Sequence, residues 1–477
     1  MNNIEKYAHV LTRADLLKNT KYINVPLYGS IPISLMAKYF IDNRYFQRLK
    51  ELKQLGTCDF IFPGATHTRF EHSIGTYYLA DRMLSRIRTS SDKITINEWL
   101  QKIPELKIHY NSNHDQIASP GLNMWISELI KIAALCHDVG HGPYSHLFDD
   151  IFVKNSKYKD HKYASHEQRS CEIIRLIVGE SEILSKFITS DDIKFIQDII
   201  DPKPHMDGFV YQIVSNNLNG LDVDKYDYIN RDAYHTGIKS GFDCFRLIDF
   251  VLIIDNIIVY PEQSEYEIYN LFTTRHAMHR RVYGHKGVVS AQNIIIDVMM
   301  ILDKVLNIGE SITNMETFIK MTDSYVLNYI DFILDVENQS VNPFSKILSV
   351  EDYLKLKELK LRLQTHNLYP HIGTLVTKQI SNIYDMFKSD NYIIYRSKIG
   401  FVSGNKSNPL NKIYVYKTKE LFDDGSEIKA HLIDKSEISH IIPEIYQEYI
   451  TMVFRKDRDP HGILQDKEIF QNIKDNV

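Results

Sequence analysis

Apolar residues recur at helical spacing through most of the first two thirds of this 477-residue chain. Leu35 to Leu55 carries them and stops at Gly56, as a helix C-terminus does. Phe70 to Ile87 and Trp125 to His137 are amphipathic, and the same spacing predicts helices over 166–178, 191–200, 222–236, 267–286 and 289–307. The β-branched run from Phe250 to Tyr260 predicts a short hairpin, and the polar stretch Thr89 to Asn123 a loop with some local helix. After Phe387 the period changes to two. Tyr392–Tyr395, Ile413–Tyr416 and Ala430–Ile433 alternate between clusters of Gly, Asn and Pro, and a helix over 437–454 with a charged tail is expected behind them. The expected fold is mainly α: a helical core over 1–335 and a smaller C-terminal α+β lobe over 336–477. No Gly/Ser-rich linker divides the two, so they are expected to pack together.

Composition narrows the partners. A net charge of −5 gives no global pull on nucleic acid, so any polyanion site must be local and nucleic-acid binding is expected to be weak or absent. Four scattered cysteines with no CxxC pair fit a reducing compartment. The N-terminus shows no secretory pattern, and the apolar runs at 250–254 and 293–302 are broken by Asp255 and Asp297. An intracellular, soluble protein with no membrane partner is expected.

One decapeptide departs from these patterns. His137-Asp-Val-Gly-His-Gly-Pro-Tyr-Ser-His146 follows the apolar run ending at Cys136 and sets three imidazoles and a carboxylate among Gly140, Gly142 and Pro143. Helix breakers beside nitrogen and oxygen donors point to a helix end that delivers ligands for Zn, Fe or Mn into a cleft. The adjacent His137-Asp138 is the simplest HD metal pair, and two neighbouring residues cannot fill a coordination sphere. His72, at the start of an amphipathic helix, and Asp224, in an acid-rich one, are the next candidates. A lone helical histidine is more often a satisfied core or surface residue; beside the HD pair that reading loses ground. Asp224, Tyr228, Asp232 and His235 fall on one helical face, as do Arg275, His279 and Tyr283. The first stripe fits a solvated face or a cleft wall. The second fits phosphate oxygens and a sugar or base, or an ordinary surface with salt bridges. His141, His146 and His166 exceed what one metal needs, and imidazole is the natural general acid near pH 7.

These segments resemble the HD-domain deoxynucleoside triphosphate triphosphohydrolases, of the vertebrate SAM-and-HD-domain type. The resemblance is carried in order by Phe46–Gly56, Pro63–Gly75, Leu135–Asp149, His166–Gln168, Asp222–Asp232 and Thr274–Lys286, with the HD region over about 65–240. It implies His72, His137, Asp138 and Asp224 as ligands of iron or zinc, with Mg accompanying the substrate. It implies His141, His146 and His166, supported by Asp149, around the scissile phosphate, with His146 as general acid. Arg69, Lys225, Tyr228 and Arg275 would cradle the triphosphate, and Gln54, Leu55, Asp232 and Tyr283 would line the deoxyribose pocket. The implied reaction is attack at the α-phosphorus of a dNTP, releasing deoxynucleoside and inorganic triphosphate.

Departures qualify the resemblance. A SAM domain is expected to be lacking, Gly284 stands where the family has a glutamine near the base, and the 89–123 stretch is longer. Lys21, Asp42, Gln47 and Lys50 resemble a guanine-nucleotide activator site, with Lys50 in place of an arginine. Leu252, Pro261 and Gln263 stand where a second activator site carries basic residues, although Asn270 is retained. Dual-nucleotide activation is expected to be altered or absent, and a homodimer is the safer expectation than a tetramer. Two competing readings remain. An HD nucleotidase or phosphodiesterase has no use for Arg69, Lys225 and Arg275 together; a catalytically silent nucleotide sensor or single-strand binder has no use for an intact ligand set.

Overall fold

The computed structural model describes residues 11–475 except 112–120, 338–341, 381–385, 402–407, 423–426, 441 and 443. Burial rises along β1 (Asn19–Val25) and β2 (Gly29–Ser34), which pair antiparallel with Ile23 opposite Ile31, and Ser34 caps helix α1 (Leu35–Ile41) by accepting the Ala37 N–H. The single helix expected from Leu35 to Leu55 is not formed. Asn43 takes extended backbone and its side chain accepts from Tyr45, opening a new short helix α2 (Arg44–Gln47) that runs into a 3₁₀ turn, Arg48–Glu51. Asparagine in mid-pattern competes for backbone groups and converts a helix interior into a cap.

The helical centre follows. Helix α3 (Arg69–Ser90) lies against α4 (Met124–Cys136), in which Trp125 through Cys136 are all buried. A helix buried on every side belongs in the middle of a bundle, its Glu128 and Lys131 paired at 2.9 Å, and α4 is covered on another side by α6 (Ser190–Ile200), which α5 (His166–Glu180) also contacts. Helix α7 (Val223–His235), capped by the Asp222 carboxylate on the Lys225 N–H, returns along α3. The 89–123 stretch is more helical than expected: α3 runs to Ser90, and short helices occupy Lys93–Leu100 and Lys107–Asn111. The hairpin expected at 250–260 is β3 (Leu252–Ile254) and β4 (Ile257–Pro261), joined by Asp255-Asn256 at φ 51° and 61°. Two such residues make the tight turn that suits strand twist. Helices α8 (Glu265–Met278), α9 (Lys286–Leu306), α10 (Asp323–Val336) and α11 (Val350–Gln364) complete the helical part.

Beyond α11 the strands sort into two sheets. β5 (His371–Thr377), β9 (Gln447–Arg455) and β6 (Tyr392–Gly400) form an antiparallel sheet with β9 in the middle. β7 (Tyr414–Tyr416) and β8 (His431–Leu432) instead extend the β3–β4 hairpin, β7 pairing parallel with β4. The helix expected over 437–454 is mostly β9, because Tyr449, Ile450, Thr451, Val453 and Phe454 are the β-branched and aromatic residues a central strand favours. The charged tail is a helix, α12 (Pro460–Asp475), whose Phe470 packs over Gly373 of β5; a Cβ there would stand 2.2 Å from the ring. The protein is mainly α, and among the described residues no helix is long and apolar enough to cross a membrane.

Candidate active site

Three helices bring the expected metal ligands together. The Nδ1 of His72 on α3 donates to Asp227 on α7 at 2.8 Å, and Asp227 is itself gripped by Arg231 through Nε and Nη2 at 2.8 and 2.9 Å. His137, just past α4, donates its Nδ1–H to the Ala134 carbonyl at 2.8 Å. Both imidazoles are thereby fixed with Nε2 turned inward, as outer partners fix metal-ligating histidines. The two Nε2 atoms stand 3.3 Å apart, and Asp224 Oδ1 lies 3.2 and 3.3 Å from them. Asp138 adds Oδ2 at 3.5 Å from His72 Nε2 and Oδ1 at 3.4 Å from His137 Nε2. Donors about 2.0–2.1 Å from a tetrahedral cation stand roughly 3.3 Å from one another, so this donor set fits a divalent ion. Charge agrees. Burial alone would keep His72 neutral, yet Asp224 and Asp227 raise it to about 10, and Asp138 and Asp224 raise His137; the pocket demands positive charge. Gly75 makes the approach possible, since a Cβ there would meet Asp227 Oδ1 at 1.9 Å.

A second group adjoins the first through Asp138, whose Oδ1 is 3.2 Å from His141 Nε2; ligand atoms of Asp138, His141 and His166 lie within 4.8 Å of one another. His141 and His166 stack at 3.9 Å, and the His146 ring stands edge-on to both at 5.1 and 5.7 Å. Burial, with Arg69 and His166 nearby, holds His141 well below the usual imidazole range. His166 goes the other way. Burial opposes its charge, but Asp149, 3.0 Å from Nδ1, raises it. Asp149 also accepts from Arg169, which overcomes burial and holds its carboxyl at about 2. His146 is the most open of the three, with a side chain 67% exposed and Nδ1 3.5 Å from Asp150.

His137, Asp138, His141, His146, His166 and Asp224 border one cavity of about 770 Å³, while His72, Asp149, Asp227, Arg231 and Arg169 lie behind its wall. Arg69 donates to Asp138 and, through Nε, to Ser145 at 2.8 Å. Lys225 is paired with Asp222 at 2.8 Å, and Arg275 Nε donates to Tyr228 at 3.1 Å while Nη1 donates to the Gly400 carbonyl at 2.6 Å. Thus β6 of the C-terminal sheet reaches the cavity, where Tyr395 and Ser397 also line it. Opposite, Tyr283 donates to Asp232 at 2.6 Å beside Gln54 and Leu55. His235, on the same stripe as Asp224, instead stacks on His67 away from the cavity. Lys21, Asp42, Gln47 and Lys50 do not border it. They gather at the surface: Lys21 pairs with Asp42 at 3.2 Å, Lys50 donates to Gln47 at 2.7 Å, and Gln47 donates to the Ile41 carbonyl at 2.6 Å.

Several residues that matter here are invisible to motif reading. The HD loop is irregular, and its backbone groups need partners from elsewhere. Arg48 donates to the Val139, His141 and Met321 carbonyls. Arg169 donates to Gly140 O at 2.7 Å, and Ser170 joins Gly140 N to His137 O. Asp323 accepts from Tyr144 N at 2.6 Å. Only Asp227 left a usable sign, three residues after Asp224 and four before Arg231 on one helix face.

The HD-domain family model matches residues 111–204, a span holding His137 and Asp138 but neither His72 nor Asp224. A putative HD domain-containing protein of Acanthamoeba polyphaga mimivirus is 34% identical over 435 residues, covering 88% of this chain and 89% of its own. The Dictyostelium discoideum homolog of deoxynucleoside triphosphate triphosphohydrolase SAMHD1 is 30% identical over 444 residues, covering 93% and 78%. The Bos taurus SAMHD1 enzyme of the same name is 30% identical over 491 residues, covering 94% and 77%.

Proposed function

The chain belongs to the HD-domain hydrolase family that includes the SAMHD1 proteins, and on that premise we propose that it is a dNTP triphosphohydrolase, releasing deoxynucleoside and inorganic triphosphate. The observation that carries this reading is the convergence of Arg69, Lys225 and Arg275 on one cavity whose wall carries His137, Asp138 and Asp224, with His72 behind it completing the donor set. A single phosphate needs no such spread of cations; a triphosphate does.

His72, His137, Asp138 and Asp224 would hold an iron or zinc ion, which supplies Lewis acidity at the α-phosphate and a nucleophile at neutral pH. Arg69, Lys225 and Arg275 bind phosphate oxygens, and they absorb charge as it builds in the transition state. His141, stripped of its proton by its surroundings, faces the phosphate as an acceptor or donor of a single hydrogen bond. His146, edge-on to both neighbours and open to the cavity, protonates the departing 5′-oxygen; Asp149 favours the charged form of His166 beside it. Asp232 and Tyr283, already hydrogen-bonded to each other, receive the 3′-hydroxyl, with Gln54 and Leu55 against the sugar. Asp138 and His166 would hold Mg that arrives with the triphosphate and offsets its charge.

Residues 336–477 act in this reading as a regulatory and oligomerisation region over the 1–335 core, in a homodimer or tetramer. The Lys21, Asp42, Gln47 and Lys50 cluster takes a guanine nucleotide if any activator binds. The test is direct. Incubation of the metal-loaded protein with each dNTP yields triphosphate and deoxynucleoside; release of orthophosphate or pyrophosphate instead refutes the assignment, and unchanged triphosphate release by Asp224→Ala refutes the centre.

A further inference from the structure

The cavity has a wall built on strain. Tyr144 and Ser145, immediately before His146, both sit in the left-handed region at φ 58° and 61°, a conformation that costs non-glycine residues free energy unless surrounding contacts enforce it. Ser145 is bound at two points, accepting from Arg69 Nε at 2.8 Å and donating to the Lys53 carbonyl at 2.9 Å. The contact at Tyr144 comes from far along the chain. Asp323, at the start of α10 and 4% exposed, accepts the Tyr144 N–H on Oδ1 at 2.6 Å and the Lys53 N–H on Oδ2 at 2.9 Å. One carboxylate thus joins the segment that carries Gln54 and Leu55 to the turn that carries Ser145 and His146. Its neighbours tighten the same seam, since Thr322 and Ser324 both donate to Glu51, at 3.2 and 2.6 Å. Gly56 closes against the same turn, where a Cβ would stand 3.0 Å from the Tyr144 carbonyl oxygen.

We propose that Asp323 is a positioning residue for the reaction: its carboxylate holds the strained Tyr144–Ser145 turn against the Lys53 segment, and so fixes His146 and Arg69 relative to the sugar wall. It touches neither metal ligand nor cavity. A carboxylate is the only side chain of this size that offers acceptors to both N–H groups at once, so Asp323→Asn must set an amide N–H against one of two backbone donors.

This inference rests on the dNTP reading only for its turnover measurement; hydrogen exchange tests it without substrate. In the unaltered protein the Lys53 and Tyr144 amides exchange as slowly as helix-interior amides. In Asp323→Asn, exchange rises in both 50–57 and 142–148, bound metal stays at the wild-type level, and turnover of dNTP falls about 10- to 100-fold, by more than KM rises. Ser345→Ala, at an exposed site beyond α10, changes none of these. Fast exchange at either amide in the unaltered protein overturns the proposal whether or not the variant folds. So does Asp323→Asn turnover within about threefold of wild type, loss confined to KM, or loss of the metal. If the unaltered protein releases no triphosphate from any dNTP, the functional reading fails while the exchange result still decides the clamp.

Discussion

The sharpest test of the candidate metal centre replaces a residue that offers no ligand atom but holds one of the ligands. Asp227 accepts three hydrogen bonds in a fully buried position: His72 Nδ1 and Arg231 Nε on Oδ2, and Arg231 Nη2 on Oδ1. All three partners are donors. Asp227→Asn keeps shape and volume but must turn its amide N–H toward either His72 or Arg231. If the oxygen stays with His72, a buried guanidinium loses half its fork; if it stays with Arg231, His72 loses the bond that turns Nε2 inward. Loss of such an outer partner weakens metal binding by about 10- to 100-fold, or about 1.4–2.8 kcal/mol. The unpaired buried donor costs fold stability about 1–3 kcal/mol more. The assay is competition for zinc or ferrous iron between chelator-stripped protein and a chromophoric chelator, beside wild type and Asp224→Ala. Asp227→Asn falls between the two, and excess metal restores its activity. Wild-type affinity within about twofold, in a protein where Asp224→Ala abolishes binding, refutes the argument that the outer carboxylate orients the ligand.

Three further outcomes follow from particular contacts. Arg275→Lys cannot serve Tyr228, Gly400 and a phosphate together, so KM for dNTP rises about 10-fold with kcat changed less; a kcat loss alone contradicts a binding role. Burial, with Glu437, Glu262 and Asp434 nearby, pushes Glu265 up to about 7. Its raised folded value means that stability is highest below the unfolded value near 4.5 and declines as pH rises toward 7. Glu265→Gln is therefore more stable than wild type at pH 8 by about 1 kcal/mol after allowance for solvent screening, and no more stable at pH 4; melting curves at both values decide it. A Cβ at Gly284 would stand 2.8 Å from the His279 carbonyl that its own N–H bonds, so Gly284→Ala displaces the turn after Tyr283. It lowers stability by about 1–2 kcal/mol and alters discrimination among the four dNTPs; an unchanged base preference and melting temperature would show the turn to be soft.

What could be read in advance follows from how local each signal is. Helices α3, α4, α5, α6, α7 and α9 were legible because each carries an apolar stripe of ten residues or more between recognisable caps. The 35–55 helix failed at Asn43, where one side-chain acceptor outweighs an apolar pattern that continues through it. The 437–454 helix failed because β9 is buried from Ile450 to Phe454 as a central strand, and a continuous apolar run has no period to read. The site divides in the same way. Side chains that face the cavity belong to compact motifs, so His137, Asp138, His141 and His146 announce themselves; His72, Asp224 and Arg275 follow from their helical settings, and Arg69 by resemblance. Residues that hold those side chains in place recur at sequence separations of 91 for Arg48 with Val139 and 179 for Asp323 with Tyr144. No periodicity connects them.

That division has a physical origin in the HD loop itself. A loop that must point His137, Asp138, His141 and His146 into one cavity cannot also be a helix, because helical spacing would spread them around the axis. Giving up the helix leaves its backbone N–H and C=O groups buried and without regular partners, and each unpaired group costs about 1–3 kcal/mol. The structure answers with charged and hydroxyl side chains placed against backbone: Arg48 and Arg169 on carbonyls, Ser170 between Gly140 N and His137 O, and Asp323 on the Tyr144 amide. Burial pushes the Arg48 guanidinium down to about 9, and its donors go to carbonyls while it lies over the Phe318 ring at 4.7 Å. Ligand geometry and buried backbone satisfaction are therefore one requirement. A substitution at Arg48 or Asp323 should disturb the site as surely as one at a ligand, while leaving every ligand in the sequence.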